Sequence, residues 1–256
     1  MALKRSIAAA LTLVFTASVA MPAAVAQSRF DAAETQEIEK IVREYLLANP
    51  EILVETIDAL EAKRAEALVA SQEQALEKYS DALFSAPEGT VIGNPDGNVT
   101  VVEFFDYNCG YCKQALSDMD ALVESDSDVR FILKEIPVLG PQSLGASRVS
   151  LAFRQVKPDL YPEFHRKLLS ARGMVDADKA LAVAEEFGVE EGTLRPLMDS
   201  KEVVAELSKD SEIAEALGIS GTPSYVISNQ VMPGAIGLEN LASAVSNVRT
   251  CGTAVC

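Results

Sequence analysis

Phe104-Phe105-Asp106-Tyr107-Asn108-Cys109-Gly110-Tyr111-Cys112-Lys113 sets two cysteines two residues apart, directly after the run Val99-Thr100-Val101-Val102-Glu103-Phe104-Phe105. A run rich in β-branched and aromatic residues predicts a buried strand. After it, Cys112, Ala115, Leu116, Met119 and Leu122 fall at helical spacing and predict an amphipathic helix. Cys109 is therefore expected where a strand hands over to a helix N-terminus. There, unpaired backbone N–H groups and the helix dipole favour a thiolate over a thiol. Such a position suits thiol–disulfide exchange.

Working outward, Val129-Arg130-Phe131-Ile132-Leu133-Lys134-Glu135-Ile136 predicts a second strand, so strand, helix and strand form a βαβ unit with parallel pairing. Val91-Ile92 is expected as a short edge strand, and Asn94-Pro95-Asp96-Gly97 as a turn. Beyond Pro141 lie only helical stretches, near 143–156, 161–169, 176–187, 192–198 and 201–217, with Gly188 and Gly218 as helix C-caps. Strand character returns in Ser220-Gly221-Thr222-Pro223-Ser224-Tyr225-Val226-Ile227. A turn at Ser228-Asn229-Gln230, a partner strand from Val231-Met232 and a last helix over 238–248 follow.

Upstream, residues 30–84 read as helix. Ile38, Ile41, Val42, Tyr45 and Leu46 form one apolar stripe; Asn49-Pro50 interrupts it, with Asn49 expected to cap a new helix. Ile52, Leu53, Ile57, Leu60 and Leu68 carry the stripe onward. The track decays into Arg64, Ala67 and Ser71, so a long regular coiled coil is not supported. An exposed apolar stripe of this length needs cover, and self-association is expected to supply it, in preference to a hairpin packed on its own domain.

The chain has 256 residues with ordinary apolar content, enough for one large domain or two smaller ones. Lys4 and Arg5 precede an apolar run from Ile7 to Val19, and Ala24-Val25-Ala26 offers small residues for cleavage, so residues 1–26 read as a secretory leader. The run falls short of the roughly 20 apolar residues a membrane anchor needs, and the mature chain is expected to carry no membrane span. An exported, periplasmic protein is expected. Cleavage removes two cations and no acid, moving the net charge from −16 to −18. Such a surface repels nucleic acid and anionic lipid.

The four cysteines form two close pairs, Cys109/Cys112 and Cys251/Cys256. In an oxidising compartment close pairs point to disulfide chemistry before metal. A zinc site would need both pairs to converge or a histidine to join, and His165 is the chain's one histidine. No metal and no organic cofactor are expected. His165 itself reads as a surface or packing residue. Of the motif cysteines, Cys109 is expected to be exposed and to attack, and Cys112, a turn further in, to be buried and to resolve the mixed disulfide. Glu103, an acid with an apolar residue on each side, is expected to be buried with a raised pKa and to relay a proton for Cys112.

The order of elements, with the CxxC at the first strand–helix junction and Gly221-Thr222-Pro223-Ser224-Tyr225 before the third strand, resembles the thioredoxin superfamily. The helical insert narrows the likeness to its DsbA-like branch. The N-terminal helical extension makes the chain most similar to ScsC-type (suppressor of copper sensitivity) members. The resemblance implies an α/β thioredoxin fold at 85–140 and 218–256, an inserted helical subdomain at 141–217, and an oligomerising helical segment at 27–84. It implies a protein disulfide oxidoreductase or isomerase. It makes Pro223 the cis-proline facing the CxxC, with Thr222 offering its backbone to an extended substrate and Gly110 and Tyr111 beside them. In relatives an acid at the place of Glu103 serves Cys112. Implied partners are unfolded or misoxidised exported proteins, a membrane redox partner protein, and further copies of the chain.

One departure matters. Gly110-Tyr111 replaces the Pro-His of strongly oxidising DsbA patterns, removing a cation–thiolate contact, so a milder oxidant is expected. Cys251 and Cys256 are expected to form a local structural disulfide, ahead of a second redox or copper-binding pair. Copper handling through Cu(I)–thiolate bonds, and a non-catalytic holdase working through the helices, are the competing readings; the ScsC likeness implies an association with copper tolerance.

Overall fold

The structure, a computed structural model, describes residues 30–87 and 89–256. The leader expected over residues 1–26 lies outside the described residues. Contacts divide the chain into two units, meeting at Ala59/Leu60.

The first unit holds α1 (Ala32–Ala48) and the opening turns of α2 (Glu51–Phe84). Asp31 caps α1 through its carboxylate, which accepts from the N–H groups of Ala33 and Glu34, while Glu34 reaches back to the Asp31 N–H. This reciprocal box satisfies donors a helix start leaves open. Asn49 does not cap the next helix as expected. Its side-chain amide and its N–H both donate to the carbonyl of Tyr45, closing the end of α1 instead. No residue of α1 is buried, and Ile38, Ile41, Val42, Tyr45, Leu53, Val54 and Ile57 are exposed.

The second unit is built on a five-stranded sheet of order β1-β3-β2-β4-β5. The strands are β1 (Ile92–Gly93), β2 (Val99–Phe105), β3 (Val129–Glu135), β4 (Ser224–Ile227) and β5 (Gln230–Pro233). β2 and β3 run parallel, as the βαβ reading requires, and the other pairs are antiparallel. α3 (Gly110–Ser125) makes the crossover. Because side chains alternate along a strand, Val99, Val101 and Phe105 of β2 meet one core with Val129, Phe131, Leu133, Tyr225 and Ile227. α3 and α9 (Gly237–Cys251) cover that face. Val102, Phe104, Ile132 and Val226 point the other way into a second core.

Cover for that second face comes from an element expected to belong elsewhere. Ala75, Leu76, Tyr79 and Leu83 of α2 are buried there, beside Ile213 and Ala214 of α8 (Lys201–Ala216) and Leu217, which caps its end. The segment read from sequence as one handle over 27–84 is thus divided. From Leu60 onward α2 belongs to the unit that holds the sheet. Its apolar spacing satisfied an oligomer stripe and a core stripe equally, and only the sheet's unfilled face distinguishes them.

Between β3 and β4 the chain adds α4 (Pro141–Val156), a 3₁₀ turn (Pro158–Leu160), α5 (Tyr161–Leu169), α6 (Ala177–Glu186), α7 (Glu191–Met198) and α8. Gly188 takes a positive φ just past α6, with the expected C-cap bonds from its own N–H and that of Val189. Buried ions join this insert to β3: Lys134 pairs with Asp210, and Asp210 also accepts from the Glu135 N–H. Arg154 of α4 pairs with Glu206 of α8.

Leu83, fully buried, and Val69, more than half exposed, lie on the same helix. Leu83→Ala is expected to lower unfolding stability by about 2–5 kcal/mol. Val69→Ala is expected to change it by no more than about 0.5 kcal/mol. Urea unfolding of the two variants checks that Leu83, and not Val69, packs against the sheet; equal effects would place both residues in one environment.

Candidate functional site

Cys109 is the N-cap residue of α3, in extended conformation, and its side chain caps nothing. Its N–H donates to the Asp106 carbonyl and its own carbonyl accepts from the Lys113 N–H, so backbone bonds on both sides hold the turn. Cys109 and Cys112 are free thiols. The Cys109 thiol donates to the Thr222 carbonyl at 3.1 Å, and the Thr222–Pro223 peptide bond is cis. Three of the residues picked from sequence, in two stretches far apart in the chain, therefore meet.

Cys109 is less open than expected, at 7% exposure, because the Thr222 loop lies over its sulfur. Cys112 is fully buried as expected. Burial raises its thiol pKa, and the nearby Glu103 and Cys109 add to the rise. Tyr111, at 65% exposure, stands in solvent, and Gly110 has open space where a Cβ would sit. The centre thus presents a bare rim above a buried second sulfur.

Glu103 is 3% exposed and lies on the sheet face covered by α3. In register it pairs with Tyr225 on β4 and Leu133 on β3. Burial, reinforced by the Asp118 carboxylate on α3, pushes its pKa up to about 8. A carboxyl in this state is mostly protonated at neutral pH and ionises near the working range.

Sequence reasoning passed over three residues that hold the motif in place. Asp106 accepts from the Asn108 N–H, the Leu139 N–H and the Ser143 hydroxyl. Asn108 makes a two-way pair with Val175, accepting its N–H at 2.7 Å and donating to its carbonyl at 2.8 Å. Lys113 donates to the carbonyls of Ala171 and Gly173. These bonds tie the CxxC turn to the helical insert. The signal was present as three polar residues around a buried junction, but their partners lie more than 30 residues away.

Deeper in the same face sits a second acid that sequence reasoning left unassigned. Glu135 is buried opposite Phe105, accepts from the Ser150 and Tyr161 hydroxyls, and has no partner for Oε2. Burial raises its pKa to about 8. The Tyr107 and Ser150 hydroxyls share a hydrogen bond, and Tyr107 also meets His165 Nδ1 at 3.3 Å. His165 is fully enclosed, edge-on to Phe105, and burial lowers its pKa to about 3, so it packs as a neutral ring.

Cys251 and Cys256 are bonded to each other. The loop they close is held by Asn247, which donates to the Ala254 carbonyl, and by Ser228, which donates to the Gly252 carbonyl. Arg249, two residues before it, binds Asp126, which ends α3 at the end away from Cys109. The structure does not bring the two cysteine pairs together. Among the described residues no three His, Cys, Asp or Glu are clustered to hold a metal ion, and no helix is long and apolar enough to cross a membrane.

Residues 100–246, more than half of the chain, match the DSBA-like thioredoxin domain, and residues 34–67 match the copper resistance protein ScsC N-terminal domain. The chain is similar to disulfide bond formation protein D of Bacillus subtilis, at 27% identity over 61% of this chain and 76% of that protein. Among solved structures it resembles a thioredoxin-like oxidoreductase from Silicibacter pomeroyi, with 39% identity, a TM-score of 0.63, and coverage of 67% of this chain and 98% of that one. It also resembles Proteus mirabilis ScsC in a transitional conformation, with 31% identity, a TM-score of 0.62, and coverage of 86% and 96%. Matches to Na(+)/H(+) antiporters NhaA span only about a quarter of those proteins' length.

Since Glu103 holds a proton that the unfolded chain releases above its ordinary 4.5, its contribution to stability is present below about pH 4.5 and is lost as pH rises through about 8. Glu103→Gln is expected to be more stable than the parent at pH 8–9, by on the order of a few kcal/mol, and little different at pH 5. Urea unfolding of the reduced proteins across this range measures it. Parallel pH curves for parent and variant would remove Glu103 as a buried titrating group.

Proposed function

The chain belongs to the DSBA-like thioredoxin domain family, and on that footing we propose a periplasmic thiol:disulfide interchange enzyme acting on exported proteins through Cys109-Gly110-Tyr111-Cys112. The observation that carries it is the meeting of the Cys109 sulfur with the Thr222 carbonyl beside cis-Pro223, at the start of α3. A nucleophilic sulfur and the backbone of an extended-strand docking site stand in one place.

Cys109, as thiolate, attacks one sulfur of a client disulfide; a mixed disulfide forms and the client's other sulfur leaves as a thiolate. If a different thiolate in the client, not the one displaced, attacks the client sulfur of the mixed disulfide, Cys109 is released unchanged and the client's pairing is rearranged with no net oxidation. If Cys112 attacks the Cys109 sulfur, the client leaves reduced and a Cys109–Cys112 disulfide closes. Run backward, a client thiolate opens that disulfide, Cys112 leaves as a thiolate in a buried site, and the client is oxidised. Glu103, protonated at neutral pH, supplies the proton Cys112 then needs, and takes it back in the other direction. Thr222 and Pro223 with the exposed Gly110-Tyr111 rim receive the client chain. The Cys251–Cys256 bond serves structure, stapling the tail behind α9.

Rearrangement rather than simple oxidation is favoured by the first unit. Its apolar residues are uncovered, and the match over 34–67 is to an ScsC N-terminal domain. Self-association through this unit gathers several Cys109 sites, which suits repeated capture and release of a mispaired client.

Scrambled-ribonuclease refolding tests this on the full-length protein. Cys109→Ser is expected to abolish recovery of ribonuclease activity; retained recovery would remove the redox assignment and leave a holdase. Ile41→Glu combined with Ile57→Glu, read with light scattering for mass, is expected to yield monomers that oxidise reduced ribonuclease but rearrange scrambled ribonuclease at least about fivefold more slowly. Monomers that rearrange at the parent rate would separate isomerisation from assembly.

A further inference from the structure

A groove of about 440 Å³ opens directly beside the substrate-facing loop, and one of its walls is α2. Leu68 and Gln72 form that wall; Thr222 and Pro223 form the end nearest Cys109; Val231 and Pro233 of β5 form the opposite side. Two contacts fix the helix there. Gln72 Nε2 donates to the Leu217 carbonyl at 2.9 Å, satisfying an acceptor at the end of α8. Gly218 adopts a positive φ, and any Cβ on it would lie 2.8 Å from Leu68 Cδ1. β5, the other wall, is an edge strand of the sheet, paired among the described residues with β4 alone.

Thr222 belongs to both places. Its carbonyl accepts from the Cys109 thiol, and the residue also lines the groove. A polypeptide joined to Cys109 and running along Thr222 therefore continues into a trough where Leu68, Ile219, Pro223, Val231 and Pro233 present apolar surface beside the polar Gln72, Ser220 and Ser224. The volume lies within the range of sites that enclose side chains. Leu68 is nearly half exposed, so it is available to an incoming chain.

We propose that Leu68 of α2 is a specificity-determining residue that holds an apolar side chain of the client polypeptide next to the cysteine bonded to Cys109. This rests on the thiol-exchange reading above. It gives α2 a part in client selection, separate from its cover of the sheet and from self-association. The occupant is a client segment in extended form, because the wall it faces is a strand edge and the entry is a backbone carbonyl.

Full-length protein is compared with Leu68→Glu and Leu68→Ala against two disulfide peptides differing only in a Leu or a Lys near the reactive cysteine, with glutathione disulfide as a reference. For the parent, the second-order rate constant is expected to favour the Leu peptide. Leu68→Glu is expected to shrink the Leu-to-Lys ratio about tenfold, a change of the size hydrophobic pockets give, and Leu68→Ala to shrink it less. Because each ratio is taken within one protein, partial unfolding cancels. An unchanged ratio in both variants overturns the proposal, as does a change in mass by light scattering with no change in ratio, which would make a second copy of the chain the occupant. If the parent reacts with neither peptides nor glutathione disulfide, the exchange reading itself falls and this proposal with it.

Discussion

The Cys109 thiol and the Thr222 carbonyl, 113 positions apart in the chain, meet at 3.1 Å. Everything between them is arranged so that this contact can form. β2 must end and α3 begin at Cys109, and β4 must pair antiparallel beside β2 so that the loop before Ser224 reaches the start of α3. The helical insert leaves the sheet after β3 and returns at that loop, and it is itself fastened to the motif through Asn108, Asp106 and Lys113. The insert therefore fixes the turn that carries Cys109. A polar clamp suits this task because a two-way backbone pair such as Asn108 with Val175 sets both distance and orientation.

Burying acids beneath this turn opposes stability once they ionise. Glu103 and Glu135 both lie on the same sheet face, and each is held near neutrality by desolvation. They differ in their neighbours. Glu103 lies near Cys112, whose thiol it helps hold protonated. Glu135 is engaged by hydroxyls of the insert and lies against the Tyr107–His165 cluster. Alternation along β2 explains the selection: Val102 and Phe104 face the far core, so Glu103 can point only toward α3.

Much of this was legible in the chain itself. Cys109-Gly110-Tyr111-Cys112 behind a β-branched run marked the strand–helix junction, and Thr222-Pro223 marked the loop opposite. The insert's helices fell where apolar spacing and Gly188 and Gly218 placed them. Less legible were features that depend on distant partners. The shielding of Cys109 comes from a loop more than a hundred residues away. The role of Asn108 requires Val175, and that of Leu76, Tyr79 and Leu83 requires a bare sheet face. Periodicity reports that a helix has an apolar side; it does not name the surface that will meet it.

By itself, then, the sequence determined the local states: which runs are strand or helix, where glycine must end a helix, and that two cysteines stand at a helix start. Those follow from sterics, periodicity and backbone chemistry acting over a few residues. Tertiary structure alone decided that the Thr222 loop shields Cys109, that α2 is shared between an uncovered apolar end and a sheet-covering end, and that Leu68 borders a groove reaching Thr222. These depend on which surfaces exclude water against each other, and that selection is made over the whole chain at once.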